Sequence, residues 1–297
     1  MRLRSSESDV ATGFAAAEIR YGTGRPKIGA ILLEMGALNE SQVAAVLARQ
    51  AQSNGELFGQ AAISLGFTNL ERVRRALEQQ QRFQVLPAGD GSVDPLVVAA
   101  FNPSDPLSRE ARSLRAMISA SRRADGSLPK SIALVGVDAA AETAILSANL
   151  GVACAQAGYR TLLVDTNIDQ PVQHNLFRLS NRSGVSSMLS VDGDHRGMIQ
   201  PSAVRGLSLI TAGPAVPNTT ELFDSKRLFV RLRLLSEGFD VLLIDASQSN
   251  GSMISFDGAD AALIAVRQDR SSLDDMKKLA CSISSSGTII LGSIIID

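Results

Sequence analysis

From Ser131 onward, short apolar runs alternate with stretches in which apolar residues recur at helical spacing. The runs SIALVGV (131–137), RTLLVD (160–165), LSLITAG (207–213), VLLIDA (241–246), AALIAV (261–266) and TIILGSIII (288–296) have the length of strands, and helical patterns fall at 142–157, 219–238 and 271–286. Strands with few polar positions are buried on both faces, and helices between them supply the crossovers that parallel pairing needs. The pattern predicts an α/β domain built on a doubly wound parallel sheet, spanning 108–297 with a short leading helix, SREARSLRAMISASRR (108–123).

Upstream the period changes. KIGAILLEMGALNESQVAAVLARQ (27–50) aligns with LFGQAAISLGFTNLERVRRALEQQ (57–80) at an offset of thirty. Both copies carry Gly in the third position, a second Gly seven residues on, and a closing Gln, and Val43 and Leu47 match Val73 and Leu77. Each copy reads as a short helix, a Gly-marked turn capped near Asn39 or Asn69, and a second helix. A small all-α repeat domain is expected over 25–86, preceded by a loose polar arm (1–24). Between 87 and 107, Pro87, Pro95, Pro103 and Pro106 with Gly89 and Gly91 predict a linker.

Composition narrows the function. Lys+Arg is 29 against 30 Asp+Glu, without the basic excess of a nucleic-acid binder. Two cysteines, Cys154 and Cys281, make no disulfide framework, and with only His174 and His195 no close-spaced zinc pattern can be written. The N-terminus lacks the apolar core of a signal peptide, and TIILGSIII is half of a membrane span. A cytoplasmic protein is expected, peripheral to the inner membrane if a partner holds it there.

Ligands of such sheets bind beyond the carboxyl ends of the strands. There the first strand runs through GVDAAAET (136–143) into a helix, with the spacing of a phosphate loop, G-x-x-x-x-G-K-[S/T]. Gly136, Asp138, Glu142 and Thr143 mark the loop, but Ala141 replaces its second glycine and Glu142 its lysine. Two unit charges 4 Å apart interact by about 4 kcal/mol at an effective dielectric near 20. Exchanging attraction for repulsion beside a triphosphate therefore costs on the order of a thousandfold in affinity. Asp165 and Asp245 end the second and fourth strands, where carboxylates either hold magnesium or cap the next helix. His174 reads as a packing or capping residue, and the cysteines as small core residues.

The segment LLVDTNIDQPVQHNLFRLSNRSGVSSML (162–189), with AGPAVPNTTELFDS (212–225), FDVLLIDAS (239–247) and ADAALIAVR (259–267), resembles the bacterial tyrosine kinases of polysaccharide export. The resemblance covers roughly 105–297 and implies a P-loop fold of the MinD/ParA type. Repeat domain, Pro-rich stretch, Arg-rich helix and kinase-like domain follow the order of the exopolysaccharide chain-length-determinant kinases (the EpsG type). The repeats are similar to the N-terminal domain of secretion and pilus ATPases.

Against that family, the Gly-(Lys/Arg)-Ser of the loop falls on Glu142-Thr143-Ala144, one position from the motif register. Its Asp-x-Asp pair is Asp165-Thr166-Asn167, and its following basic pair is Asp169-Gln170. The sequence holds two tyrosines, Tyr21 and Tyr159, and no run like the family's Tyr-rich stretch. In the oligomerisation helix, Arg112 and Arg115 match and Arg109 stands at the Glu position. These losses predict a pseudokinase with no cofactor, acting in exopolysaccharide biosynthesis as regulatory or assembly partner. The partners implied are an inner-membrane polysaccharide co-polymerase (chain-length determinant), a kinase paralogue or a second copy of this chain. The alternative is an active tyrosine autokinase or ATPase using ATP and Mg, with Asp165 and Asp245 as metal ligands. A third reading is an adaptor binding cyclic di-GMP through the repeats, whose leading positions are Lys27 and Leu57.

Overall fold

A computed structural model describes residues 2–4, 27–52, 56–82, 84–123, 125–217, 219–224, 227–247, 256 and 258–296. The chain divides into two compact units, a helical one ending at Val85 and an α/β one that resumes at Leu86. Residues 5–24 of the expected arm lie outside the described ones.

The helical unit holds α1 (Ile28–Glu34), α2 (Glu40–Gln52), α3 (Phe58–Ser64) and α4 (Leu70–Arg82). Its turns follow the repeat. Gly36 and Gly66 take φ of 64° and 71°, the left-handed region open to glycine, and close α1 and α3 with matching hydrogen bonds from Gly36 to Leu33 and Ala37 to Leu32, and from Gly66 to Ile63 and Phe67 to Ala62. Asn39 Oδ1 accepts from Gln42 N while Gln42 Oε1 accepts from Asn39 N, both at 2.9 Å. Asn69 Oδ1 accepts from Arg72 N at 3.0 Å. The repeated third-position glycines allow close helix contact, since a Cβ on Gly29 would lie 2.8 Å from the Phe58 ring and one on Gly59 2.6 Å from Val73 Cγ1. Ile31, Leu32, Val46, Ala61, Ala62, Val73 and Ala76 form the core. Leu47 and Leu77 instead stand exposed.

In the α/β unit come β1 (Arg2–Arg4), α5 (Pro106–Ala120), β2 (Ser131–Val137), α6 (Ala140–Gln156), β3 (Thr161–Asp165), α7 (Gln173–Leu176), α8 (Val185–Ser190), β4 (Gln200–Pro201), β5 (Leu207–Ile210), α9 (Thr219–Asp224), α10 (Arg227–Leu235), β6 (Val241–Ala246), β7 (Ala261–Arg267), α11 (Leu273–Ser285) and β8 (Ile289–Ile296). The sheet runs β1-β8-β7-β2-β6-β3-β5-β4. Its inner pairs are parallel, and only the edge pairs β1–β8 and β4–β5 are antiparallel.

Alternation along the strands builds both faces. Ile132, Leu134, Leu163 and Leu243 meet α5 and α6 through Leu114, Ile118, Leu146 and Leu150. Ala133, Val135, Leu162 and Ile244 meet α8, α10 and α11 through Met188, Leu232 and Ile283. The doubly wound sheet expected from the sequence is the fold observed.

Three expectations change. Part of the arm is a strand, because Arg2–Arg4 pairs with Ser293–Ile295. The stretch 87–107 is no free linker: Leu86, Val93, Val97, Ala99 and Ala100 are buried in the core of the α/β unit. Its backbone polar groups find partners there, Leu86 N on Ala100 O and Asp94 N on Leu176 O, and Asn149 of α6 accepts from Ala99 N at 2.9 Å and donates to Leu96 O at 3.1 Å. The helix expected from 108 starts at Pro106, with proline in its first turn and Asp105 capping Leu107 N.

Candidate phosphate-loop and carboxylate site

The sheet order brings the expected site residues to one edge. Strands β7, β2, β6 and β3 are neighbours, so their carboxyl ends place the loop after β2 beside the acidic residues of β6 and β3. Asp138, at φ 52°, turns the chain from β2 into α6 and is exposed.

Behind it the loop closes on itself. Thr143 is fully buried, and its Oγ1 donates to Ala139 O at 2.6 Å. A Cβ on Gly136 would lie 2.7 Å from Thr143 Oγ1 and 3.1 Å from Ala139 O, so glycine is needed there for the loop's own packing. Glu142, in the first turn of α6, pairs with Arg267 at the end of β7, Oε1 to Nη1 3.2 Å. Glu142 stands at the cation position in the motif register and Thr143 in the family register, so neither register offers a triphosphate a positive charge from the loop, and these residues do not fit that group.

Asp165 and Asp245 are direct cross-strand neighbours on β3 and β6, both almost completely buried. Asp165 Oδ1 accepts from Asn167 N at 3.0 Å, and Oδ2 accepts from Val172 N at 3.2 Å and Gln173 N at 3.0 Å. Asp245 Oδ1 accepts from Ser247 N at 3.2 Å, and Oδ2 accepts from Gln173 Nε2 at 2.6 Å. The same Gln173 nitrogen donates to Ala144 O at 2.8 Å, so Gln173 links Asp245 through its side chain, and Asp165 through its backbone N–H, to the start of α6. Asn167 donates to Ser247 O and Thr166 Oγ1 to Asp245 O. Burial first, and the neighbouring Asp245 second, push Asp165 up to about 8, while burial also raises Asp245. Among the described residues, no group of three or more His, Cys, Asp or Glu side chains could hold a metal ion. The pair has the hard oxygen donors magnesium prefers, yet its oxygens already accept hydrogen bonds from the protein.

Sequence reasoning named Gly136, Asp138, Glu142, Thr143, Asp165 and Asp245, and the fold gathers them at one edge. It missed Gln173 and Arg267, although both lie inside segments that carry the family resemblance. His174 is half-buried, and burial lowers its pKa. Cys154 is buried with its thiol pushed up to about 12. Cys281 is exposed on α11 and is no core residue. Lys27 and Leu57, the leading repeat positions, are both exposed just ahead of α1 and α3.

A parallel sheet with a strand–loop–helix and two strand-end carboxylates at its carboxyl edge is the layout of a P-loop fold. No family model matches the chain. CapB of Staphylococcus aureus, named as a tyrosine-protein kinase, is 28% identical over 207 residues, 69% of this chain and 90% of CapB. The tyrosine-protein kinase wzc of Salmonella typhi is 29% identical over 150 residues, 50% of this chain but 20% of wzc. Among solved structures, the chimerical protein CapA2B2 superposes with TM-score 0.60 and 29% identity, covering 74% of this chain and 97% of that one. The BceF tyrosine kinase domain gives 0.57 and 26%, covering 76% and 97%. The chain is similar to these bacterial tyrosine kinases. It spans nearly all of CapB and about a fifth of the Salmonella relative. Among the described residues, no helix is long and apolar enough to cross a membrane.

Proposed function

We propose that the chain is a pseudokinase of exopolysaccharide biosynthesis. It acts by binding, as regulatory or assembly partner of an inner-membrane chain-length determinant or of an active kinase paralogue, and it needs no nucleotide for that role. The single observation carrying this reading is the state of the loop: the lysine position holds Glu142 in the motif register and Thr143 in the family register, Glu142 is ion-paired to Arg267, and Thr143 and Ala139 fill the space against Gly136. Replacement of the family's second carboxylate by Asn167, which donates within the site, supports the same conclusion.

A second reading, an active tyrosine autokinase using ATP and Mg, is favoured by one observation alone, the side-by-side placement of Asp165 and Asp245. Calorimetric titration with Mg-ATP and Mg-ADP separates the two. The pseudokinase gives no heat at millimolar nucleotide. Saturable binding below about 100 μM, roughly −5.5 kcal/mol, or tyrosine phosphorylation that requires Asp165 and Asp245, refutes it.

A further inference from the structure

A cation paired to the loop comes from another strand. Val137 of β2 pairs with Val266 of β7, so Arg267, the next residue, lies beside the end of β2, where the loop begins. Its placement is fixed. Arg267 N donates to Ser271 Oγ at 2.7 Å, and Ser271 Oγ donates in turn to Val137 O, tying the end of β7 to the end of β2. The guanidinium meets the Glu142 carboxylate, with both side chains roughly two-thirds or more buried, at 33% and 26% exposure. A partly buried arginine held by a strand end is a suitable partner for phosphate oxygens, which it can engage with two parallel donors.

We propose that Arg267 is the cation of a latent diphosphate-binding site and that Glu142 occupies it from within, as an autoinhibitory anion. The proposal rests on the pseudokinase reading and deepens it: the loop is silent because its own carboxylate fills the place, in addition to having lost its lysine. Asp138 is the other acid of the loop, and its charge keeps any opened site weak.

The test uses the full chain and inorganic pyrophosphate as probe, titrated calorimetrically at low salt against wild type, Glu142→Gln, Arg267→Gln and the double variant. Glu142→Gln is expected to bind pyrophosphate at least tenfold more tightly than wild type, with the gain disappearing in the double variant and weakening as salt is raised. No gain in Glu142→Gln, or a gain that survives loss of Arg267, overturns the proposal. Thermal melting reports whether each variant is folded, and Glu142→Ala replaces Glu142→Gln if the latter is not. The proposal stands or falls on the ratio of variant to wild type. The pseudokinase reading falls separately, on tight binding of Mg-ATP by the wild-type chain.

Discussion

Asp165 and Asp245 give the chain a pH dependence opposite in sign to that of ordinary surface carboxylates. Asp165 is raised from 3.8 to about 8, with burial as the leading cause. A carboxyl whose folded pKa exceeds its unfolded one holds its proton more tightly in the native state. Its contribution is therefore complete below about pH 4 and is lost as the pH rises through 8. Between pH 5 and pH 8 the unfolded chain has released this proton while the native chain still largely keeps it. At about 1.4 kcal/mol per pH unit, the loss over that window is about 4 kcal/mol.

The perturbation that isolates it is Asp165→Asn. Oriented with its oxygen toward Val172 N and Gln173 N, the amide keeps two of the three bonds and leaves Asn167 N unmatched, at a pH-independent cost of about 1–3 kcal/mol. Urea unfolding followed by circular dichroism at pH 5, 6, 7 and 8 gives the difference between wild type and variant. His174, depressed by burial, contributes with the opposite slope but is common to both proteins and cancels. Wild type is expected to lose about 4 kcal/mol relative to the variant across the window. A difference that stays constant to within about 1 kcal/mol would show that the carboxyl is ionised throughout and refute the reasoning.

Two further outcomes follow from the packing. Asn149→Ala removes the acceptor for Ala99 N and the donors to Leu96 O and Ile145 O; a loss of about 2–3 kcal/mol in urea unfolding is expected, with limited proteolysis cutting first within 86–105. Asn39→Ala removes the side-chain half of the reciprocal cap, the acceptor for Gln42 N, and should cost about 1 kcal/mol, read from the thermal melt of the helical signal.

The inner strands and both turns of the repeat were legible because their signals are local. A buried strand announces itself in a run such as VLLIDA, and Gly36 and Asn39 sit where a helix must stop and the next begin. The adjacency of Asp165 and Asp245 was half legible, as two strand-end acids whose pairing depends on the order β6-β3. What escaped is nonlocal or too short. Strands β1 and β4 have three and two residues, too few to show alternation. In 87–107 the density of proline masked Val93 and Val97, which pack without any periodicity once Asn149 supplies backbone partners. The pairing of Glu142 with Arg267 joins residues far apart in the chain, brought together by the β2–β7 register.

The packed segment 86–105 also decides where the chain can be divided. A fragment beginning at 108 would keep every inner strand and still lose Leu86, Val93, Val97, Ala99 and Ala100 from one side of the sheet, together with Asp105, which starts α5. Such a piece would present a bare hydrophobic surface to water and tend to associate with itself. Silence or stickiness in a binding assay would then describe an injured sheet. Separating the two units requires a cut ahead of Leu86, and only fragments made that way report what each half does alone.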